Sequence, residues 1–175
     1  MSKKKTSTFY LTERLTITAA ATPVTATIDL GAYVDVADRQ AIAIESVDFI
    51  FQGKAASNNV TSETGPSQAI HAQIFDLNRG GTIQFADDRA LVASGTLQVS
   101  ADDVVTNAGD MYPDMFGARD GVRLVVNDQL YLTAESTAIA GSGEVNVTVR
   151  IKAYVAQLSQ KDFMGIALQS TAADN

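Results

Sequence analysis

Residues Glu144 to Ala156 read E-V-N-V-T-V-R-I-K-A-Y-V-A, an alternation of apolar and polar side chains. Successive side chains of a β-strand point to opposite faces, so the stretch predicts one long strand with an apolar and a polar face. Half-buried strands of this kind are typical of antiparallel sheets, whereas parallel sheets are buried on both faces. We therefore predict an antiparallel β-protein. The polar face of the strand comprises Asn146, Thr148, Arg150, Lys152 and Tyr154.

Three more segments near the amino end have the same character. Alternation predicts strands at Phe9–Ile17, Val24–Leu30 and Ala41–Gln52. In the third of these, the apolar residues before and after Glu45-Ser46 lie in opposite phase. A phase slip of one residue is what a β-bulge produces, and bulges bend strands. The sequence therefore predicts a bulge at Glu45-Ser46.

The rest of the chain is divided by turn residues into short segments. The polar stretch Gly53–Ser67 predicts a long surface loop. Three strands are predicted next, at Ala69–Leu77, through Ile83 and Phe85, and at Ala90–Ser100, the last of them broken by Gly95. A turn at Arg79-Gly80-Gly81 separates the first two. The remaining predictions are one turn of helix at Asp102–Val105, a hairpin turn or a mid-strand polar pair at Asn127-Asp128, and a helix start at Ser159–Asp162.

Taken together, these segments predict the fold class. Eight or nine strands, few helices and frequent turn signals indicate an all-β, antiparallel β-sandwich or jelly roll with one or two short helices. We predict a flexible arm at residues 1–8, a single sandwich domain at 9–158, and a short helix and tail at 159–175.

Composition excludes several classes of protein. The chain has 175 residues, 46% of them hydrophobic, and no apolar run of the roughly 18 residues that a membrane-spanning helix needs. A net charge of −7 argues against a surface that neutralises nucleic-acid phosphates. There is no cysteine, so disulfides and thiolate sites are ruled out. The amino end lacks the apolar stretch of a secretion signal, and we expect synthesis in the cytoplasm.

No group of residues suggests catalysis. His71 is the only histidine, and it lies within a predicted strand without convergent partners, so we interpret it as a strand residue that faces solvent or a polar neighbour. The chain has no G-x-S-x-G motif and no phosphate-binding glycine loop. We predict that the protein is not an enzyme and has no cofactor or small-molecule substrate.

Two charged clusters allow a binding role. Asp102, Asp103, Asp110 and Asp114 could supply oxygen ligands to Ca²⁺, although their spacing fits no EF-hand loop, and we favour turn and capping roles. Lys3, Lys4 and Lys5 could contact nucleic acid or an anionic membrane, at about 1 kcal/mol per basic residue near such a surface. The alternative for these lysines is a solvated terminus.

The order of the segments resembles that of viral single jelly-roll capsid proteins. The similarity lies in the strands at Phe9–Ile17 and Val24–Leu30, the bulged strand at Ala41–Gln52, the long polar loop and the closing strand at Glu144–Ala156. The chain is most similar to the vertical single jelly-roll type of icosahedral, internal-membrane viruses of prokaryotes, in being short, free of cysteine and without a long basic arm.

The resemblance implies a structural protein of the virion, a self-assembling coat subunit that forms homo-oligomeric capsomers of an icosahedral shell. A second coat protein is a further partner that it allows. We expect the subunit interface along the polar face of Asn146, Thr148, Arg150, Lys152 and Tyr154. The alternative function is a carbohydrate- or receptor-binding sandwich of a phage fibre or tail, which would need an aromatic-lined groove or a Ca²⁺ site.

Overall fold

A computed structural model describes residues 3–54, 60–102, 104–109, 122–139 and 143–171. These residues form ten strands and two short helices, and every strand pair is antiparallel. The elements are β1 (Lys3–Lys4), β2 (Phe9–Ile17), β3 (Val24–Asp29), β4 (Gln40–Gly53), α1 (Val60–Thr64), β5 (Gln68–Phe75), β6 (Leu91–Val99), β7 (Val105–Gly109), β8 (Arg123–Val125), β9 (Gln129–Ser136), β10 (Val145–Gln157) and α2 (Gln160–Thr171). The predicted all-β class is confirmed.

The strands form two sheets. Sheet A has the order β2, β10, β4, β8, with β1 extending the β2 edge, and sheet B has the order β3, β9, β5, β6, β7. The chain changes sheet at every connection from β2 to β5 and again from β7 to β10. Without the short β1 and the added edge strand β7, two four-stranded sheets remain with the crossing connections of a jelly roll. The predicted jelly roll is therefore confirmed.

The hydrophobic core lies between the two sheets and follows the alternation of β10. Val145, Val147, Val149 and Ile151 are at most 1% exposed, whereas Arg150 on the opposite face is exposed. Sheet B contributes its own inward-facing residues, among them Ile70, Ile74, Leu130 and Leu132. Burying each such side chain contributes about 1.5–3 kcal/mol, so the facing apolar rows hold the sheets together.

The predicted bulge is present in β4. Lys152 pairs with Ser46 and the next residue, Ala153, pairs with Ile44, which leaves Glu45 without a partner across the sheet. The extra residue restores the inward orientation of the apolar side chains on both sides of it. It also turns the Glu45 carboxylate towards the outer surface, where it contacts lysines.

The prediction that Gly95 breaks its strand was wrong, because β6 runs through it without interruption. A Cβ atom on Gly95 would lie 2.7 Å from Cδ2 of Phe49, a residue of the opposite sheet. Gly95 thus makes room for an aromatic ring that reaches across the core.

Three local predictions also differ from the structure. Residues 82–85 form no strand, and Val105 begins β7 and not a helical turn. Asn127-Asp128 is neither a hairpin turn nor part of one strand, because β8 belongs to sheet A and β9 to sheet B. A short connection between sheets carries the same polar residues as a hairpin turn, so composition alone does not separate them.

Both ends of the described chain pack on sheet A. Lys3 and Lys4 pair with the end of β10, and the Lys5 backbone N–H donates to the Val155 carbonyl at 2.8 Å. The helix predicted to start at Ser159 is present, with the Asp162 backbone N–H donating to Ser159 Oγ at 3.2 Å. Phe163 anchors α2 over a second apolar cluster on the outer side of sheet A, formed with Ala41, Val126 and Leu158. Within the described residues, neither helix has the length and apolar character needed to cross a membrane.

Candidate interaction surfaces

The outer face of sheet A is built from the side chains of β2, β4 and β10 that point away from the core. The residues predicted as an interface, Asn146, Thr148, Arg150, Lys152 and Tyr154, lie in a row along β10, the strand between β2 and β4. Their outward-facing neighbours are Tyr10, Thr12, Arg14 and Thr16 on β2 and Ser46, Asp48, Ile50 and Gln52 on β4. The structure thus places the five residues at the centre of one continuous surface.

Contacts between strands hold these side chains in defined positions. The Thr16 hydroxyl donates to Asn146 Oδ1 at 2.8 Å. The Arg150 guanidinium lies over the Tyr10 ring, 5.3 Å from its centroid, and directly opposite Asp48 in the register. Contacts of this type contribute only about 0.2–1 kcal/mol each at exposed positions. Their main effect is to order the surface.

The bulge residue Glu45 organises the end of this face. Its Oε2 lies 3.1 Å from Nζ of Lys152 and its Oε1 lies 3.8 Å from Nζ of Lys4. Lys4 also lies over the Tyr154 ring, 4.3 Å from the centroid. Exposed ion pairs contribute a median of about 0–1 kcal/mol to the stability of a protein. This network therefore affects the shape and charge of the surface more than the stability of the fold.

The basic run at the amino end is therefore engaged with the chain itself. Lys4 contacts Glu45, and Lys5 Nζ lies 3.9 Å from Oδ2 of Asp38. Lys3 pairs through its backbone with Gln157. These contacts compete with any role of the three lysines towards a genome or a membrane.

Charge is divided unevenly between the two sheets. The strands of sheet A carry six lysine and arginine residues against three acids, a net charge of +3, in a chain whose net charge is −7. The strands of sheet B carry no lysine or arginine and two acids, a net charge of −2. The cations are Lys3, Lys4, Arg14, Arg123, Arg150 and Lys152, and the acids are Glu13, Glu45 and Asp48 in sheet A and Asp29 and Glu135 in sheet B.

The outer face of sheet B is partly covered by the connection between β5 and β6, residues 76–90, which we call the cover loop. The Gln73 side-chain amide donates to the Gln84 carbonyl at 2.8 Å and accepts from the Gln84 N–H at 2.7 Å. A side chain thus supplies the two hydrogen bonds that a neighbouring strand would give. This explains why residues around Ile83 and Phe85 look like a strand in sequence but pair with no strand.

Ion pairs fix the base of the cover loop. Arg79 contacts Asp88 through Nε at 2.9 Å and Nη2 at 3.0 Å, and both side chains are largely buried. Asp88 therefore pairs with Arg79, nine residues before it in the chain. The Arg89 carbonyl accepts instead from Nη2 of Arg123 at 2.8 Å. Two arginines thus connect the loop to itself and to sheet A.

Asp76 is the buried carboxylate at the start of this loop. It is 3% exposed, and its Oδ2 lies 3.4 Å from Nη2 of Arg123. Burial raises the pKa of Asp76 above its ordinary value, because desolvation outweighs the opposing attraction of Arg123 and Arg79. The Asn127 side chain donates to the Asp76 carbonyl at 2.5 Å, which joins the β8–β9 connection to the same point.

A groove of about 210 Å³ lies beside the cover loop on the outer face of sheet B. His71, Ser94 and Thr96 line its floor, and Phe85, the most exposed large apolar residue described at 86%, lines its rim. His71 Nδ1 lies 3.1 Å from Thr96 Oγ1, as expected for a strand residue beside a polar neighbour. Among the described residues, no three His, Asp or Glu side chains could hold a metal ion together.

One residue of the candidate Ca²⁺ cluster, Asp102, lies in the described part of the chain. Asp102 lies exposed in the turn between β6 and β7, where its backbone N–H donates to Ser100 Oγ at 3.3 Å. Asp103, Asp110 and Asp114 lie outside the described residues. The turn role is thus visible for Asp102 alone.

Comparisons with known proteins give distant likenesses. No model of a known protein family matches the chain, and no curated protein matches it in sequence. Among solved structures, it is similar to VP1 of Human Polyomavirus 12 in complex with 3'-sialyllactosamine, at 8% identity and a TM-score of 0.41, over 87% of this chain and 100% of that one. It is also similar to VP1 of Trichodysplasia spinulosa-associated polyomavirus in complex with GM1 oligosaccharide, at 10% identity and a TM-score of 0.38, over 87% and 95% of the two chains. The assignment of the fold depends on the strand order described above.

Proposed function

We propose that the chain is a structural virion protein, a coat subunit that assembles with copies of itself into the shell of an icosahedral virus. The observation that carries the proposal is the division of charge between the two sheets of a jelly roll. Sheet A is basic and sheet B is acidic, although the whole chain is strongly acidic. Such a subunit attracts a second copy in one relative orientation and repels it in the others.

Assembly from one chain needs a surface that meets a different surface on the next copy. Contacts of this heterologous type close into rings when the rotation between subunits permits, and rings are the building blocks of shells. The predicted interface along Arg150, Lys152 and Tyr154 lies at the centre of the basic face. The resemblance of the sequence to vertical single jelly-roll capsid proteins points to the same role.

Negative-stain imaging and light scattering of the purified chain, over a range of protein and salt concentrations, test this proposal. We expect rings or closed particles of uniform size. A strictly monomeric protein under all conditions would contradict it. A second coat protein as an additional component would appear as incomplete rings that become closed when virion extract is added.

The groove beside Phe85 favours glycan binding as a second candidate function. An exposed aromatic ring next to hydroxyl and imidazole groups suits a small sugar ring, and the groove has a volume of about 210 Å³. His71 is paired with Glu135 across the sheet, so the surroundings favour neutral over anionic sugars. Titration with neutral methyl glycosides and with sialyllactose, followed by the NMR shifts of His71 and Thr96, tests this function. Absence of any shift, or a preference for sialyllactose, would contradict it.

A further inference from the structure

The cover loop places an unshielded aromatic residue on a rigid support. Phe85 is 86% exposed, yet the backbone of the neighbouring Gln84 is held by two hydrogen bonds with the Gln73 side chain. Ordering an exposed loop costs conformational entropy that an exposed phenylalanine does not repay. Aromatic residues on preordered supports are typical anchors of protein interfaces.

Further contacts seat the loop firmly on sheet B. A Cβ atom on Gly81 would lie 2.7 Å from Cγ2 of Thr25 on β3, so the backbone approaches the sheet closely there. Gly81 has a φ of +80°, a conformation that side-chain-bearing residues rarely adopt. Together with the pair of Arg79 and Asp88, this contact fixes the loop at both ends.

The outer face of sheet A offers a surface that matches this anchor. Tyr10 and Ile50 are 57% and 36% exposed, and they lie on the strands on either side of β10. Arg150 lies between them, stacked on Tyr10. This surface combines exposed apolar groups with positive charge, whereas the cover loop combines Phe85 with a net charge of −1, from three acids and two arginines, over strands that carry two further acids.

We infer that the cover loop of one copy docks on the outer face of sheet A of the next, with Phe85 as its apolar anchor beside Arg150, between Tyr10 and Ile50. The inference rests on the proposed function and specifies its contact. The occupant is a second copy of this chain because the two surfaces are complementary in charge. Contacts between two A faces or two B faces would bring like charges together, which costs affinity. The contact is therefore head-to-tail and leaves one free surface of each kind on every dimer.

The test uses Phe85→Ser to remove the anchor and Arg150→Glu to reverse the charge of the receiving face. Both side chains are exposed, so the fold is expected to persist, and circular dichroism checks it. The matched controls are Val36→Ser, at an apolar residue 70% exposed in another loop, and Lys161→Glu, which makes the same charge change on α2. Each chain is measured by sedimentation velocity over a range of concentrations.

We expect each test variant to associate about 30-fold more weakly than the wild type, which corresponds to about 2 kcal/mol. The controls should associate as the wild type does. An equimolar mixture of Phe85→Ser and Arg150→Glu chains should form heterodimers and nothing larger, because only one intact contact exists between an unaltered loop and an unaltered A face.

The possible outcomes separate this inference from the proposed function. If the wild type assembles and the Phe85→Ser chain assembles equally well, the inference is wrong and the proposed function stands. If both variants are defective but their mixture forms no heterodimer, the contact is not head-to-tail and the inference is again wrong. If the wild type remains a monomer throughout, the proposed function itself fails.

Discussion

The two sheets have equivalent inner faces and different outer faces. Inside, both present rows of buried aliphatic side chains, such as Ile151 in sheet A and Leu132 in sheet B. Outside, sheet A carries charged and aromatic side chains in direct contact with solvent. Sheet B carries hydroxyl and amide groups that are partly covered by the cover loop, and its strands lack lysine and arginine. The core therefore explains the fold, and any selectivity in binding must come from the difference between the outer faces.

The largest expected effects test the equivalence of the inner faces. Ile151→Ala in sheet A and Leu132→Ala in sheet B should each lower the free energy of unfolding by about 2–5 kcal/mol, because each leaves a cavity in the core. Their outward-facing controls, Thr148→Ala and Thr27→Ala, should stay within about 0.5 kcal/mol of the wild type. Urea unfolding measures all four. A large loss in the free energy of unfolding for either threonine variant would show that an outer face contributes to the stability of the fold.

The next loss of stability is expected where Gly95 of sheet B meets Phe49 of sheet A across the core. Gly95→Ala should destabilise by about 1–3 kcal/mol, because the added methyl group overlaps the Phe49 ring. Gly165→Ala in α2 is the control, since a Cβ there meets nothing within 4 Å and alanine favours the helix by about 0.5–1 kcal/mol. Thermal unfolding should shift the two midpoints in opposite directions. If both variants gained stability, the proposed overlap with Phe49 would be wrong.

A local effect is expected at the cover loop, the feature that sheet A lacks. Gln73→Ala removes both hydrogen bonds to Gln84 and leaves its backbone groups without those partners, at a cost of about 1–3 kcal/mol. Amide hydrogen exchange should accelerate in residues 82–88 and remain unchanged in β10. Gln98→Ala, on an exposed position of the same sheet, is the control. Unchanged exchange in the loop would mean that Gln73 does not hold it.

The smallest effects concern pH and have opposite signs for two carboxylates. The pKa of Asp76 is raised by burial, so its favourable contribution is present below the unfolded pKa and is lost as pH rises through the folded pKa. Asp76→Asn should therefore gain stability relative to the wild type as pH rises. The pKa of Asp162 is lowered by its hydrogen bond with Ser159, so its contribution is present above the unfolded pKa and is lost in acid.

Asp162→Asn should accordingly be less stable than the wild type at neutral pH and equal to it in acid. Thermal midpoints measured from pH 3 to pH 8 for both variants check the two directions. Parallel curves for the two variants would show that burial at the cover loop does not control the Asp76 carboxylate.

The sequence predicted the elements whose evidence is local and periodic. The alternation in β10 and the phase slip at Glu45 both depend on side chains one or two residues apart, and the five residues Asn146 to Tyr154 share the predicted face. The cover loop was not predicted, because Gln73 replaces a strand partner by a contact that has no periodic signal. The division of charge between the sheets was not predicted either, because Arg14 and Arg150 become neighbours on one sheet only through the strand order.

Sedimentation velocity of the wild-type chain beside Arg150→Glu tests the central claim most directly. The account predicts closed oligomers of one size for the wild type and for the Lys161→Glu control, and mainly monomers for Arg150→Glu. A wild type that sediments as a monomer at every concentration, or an Arg150→Glu chain that assembles as the wild type does, would contradict it.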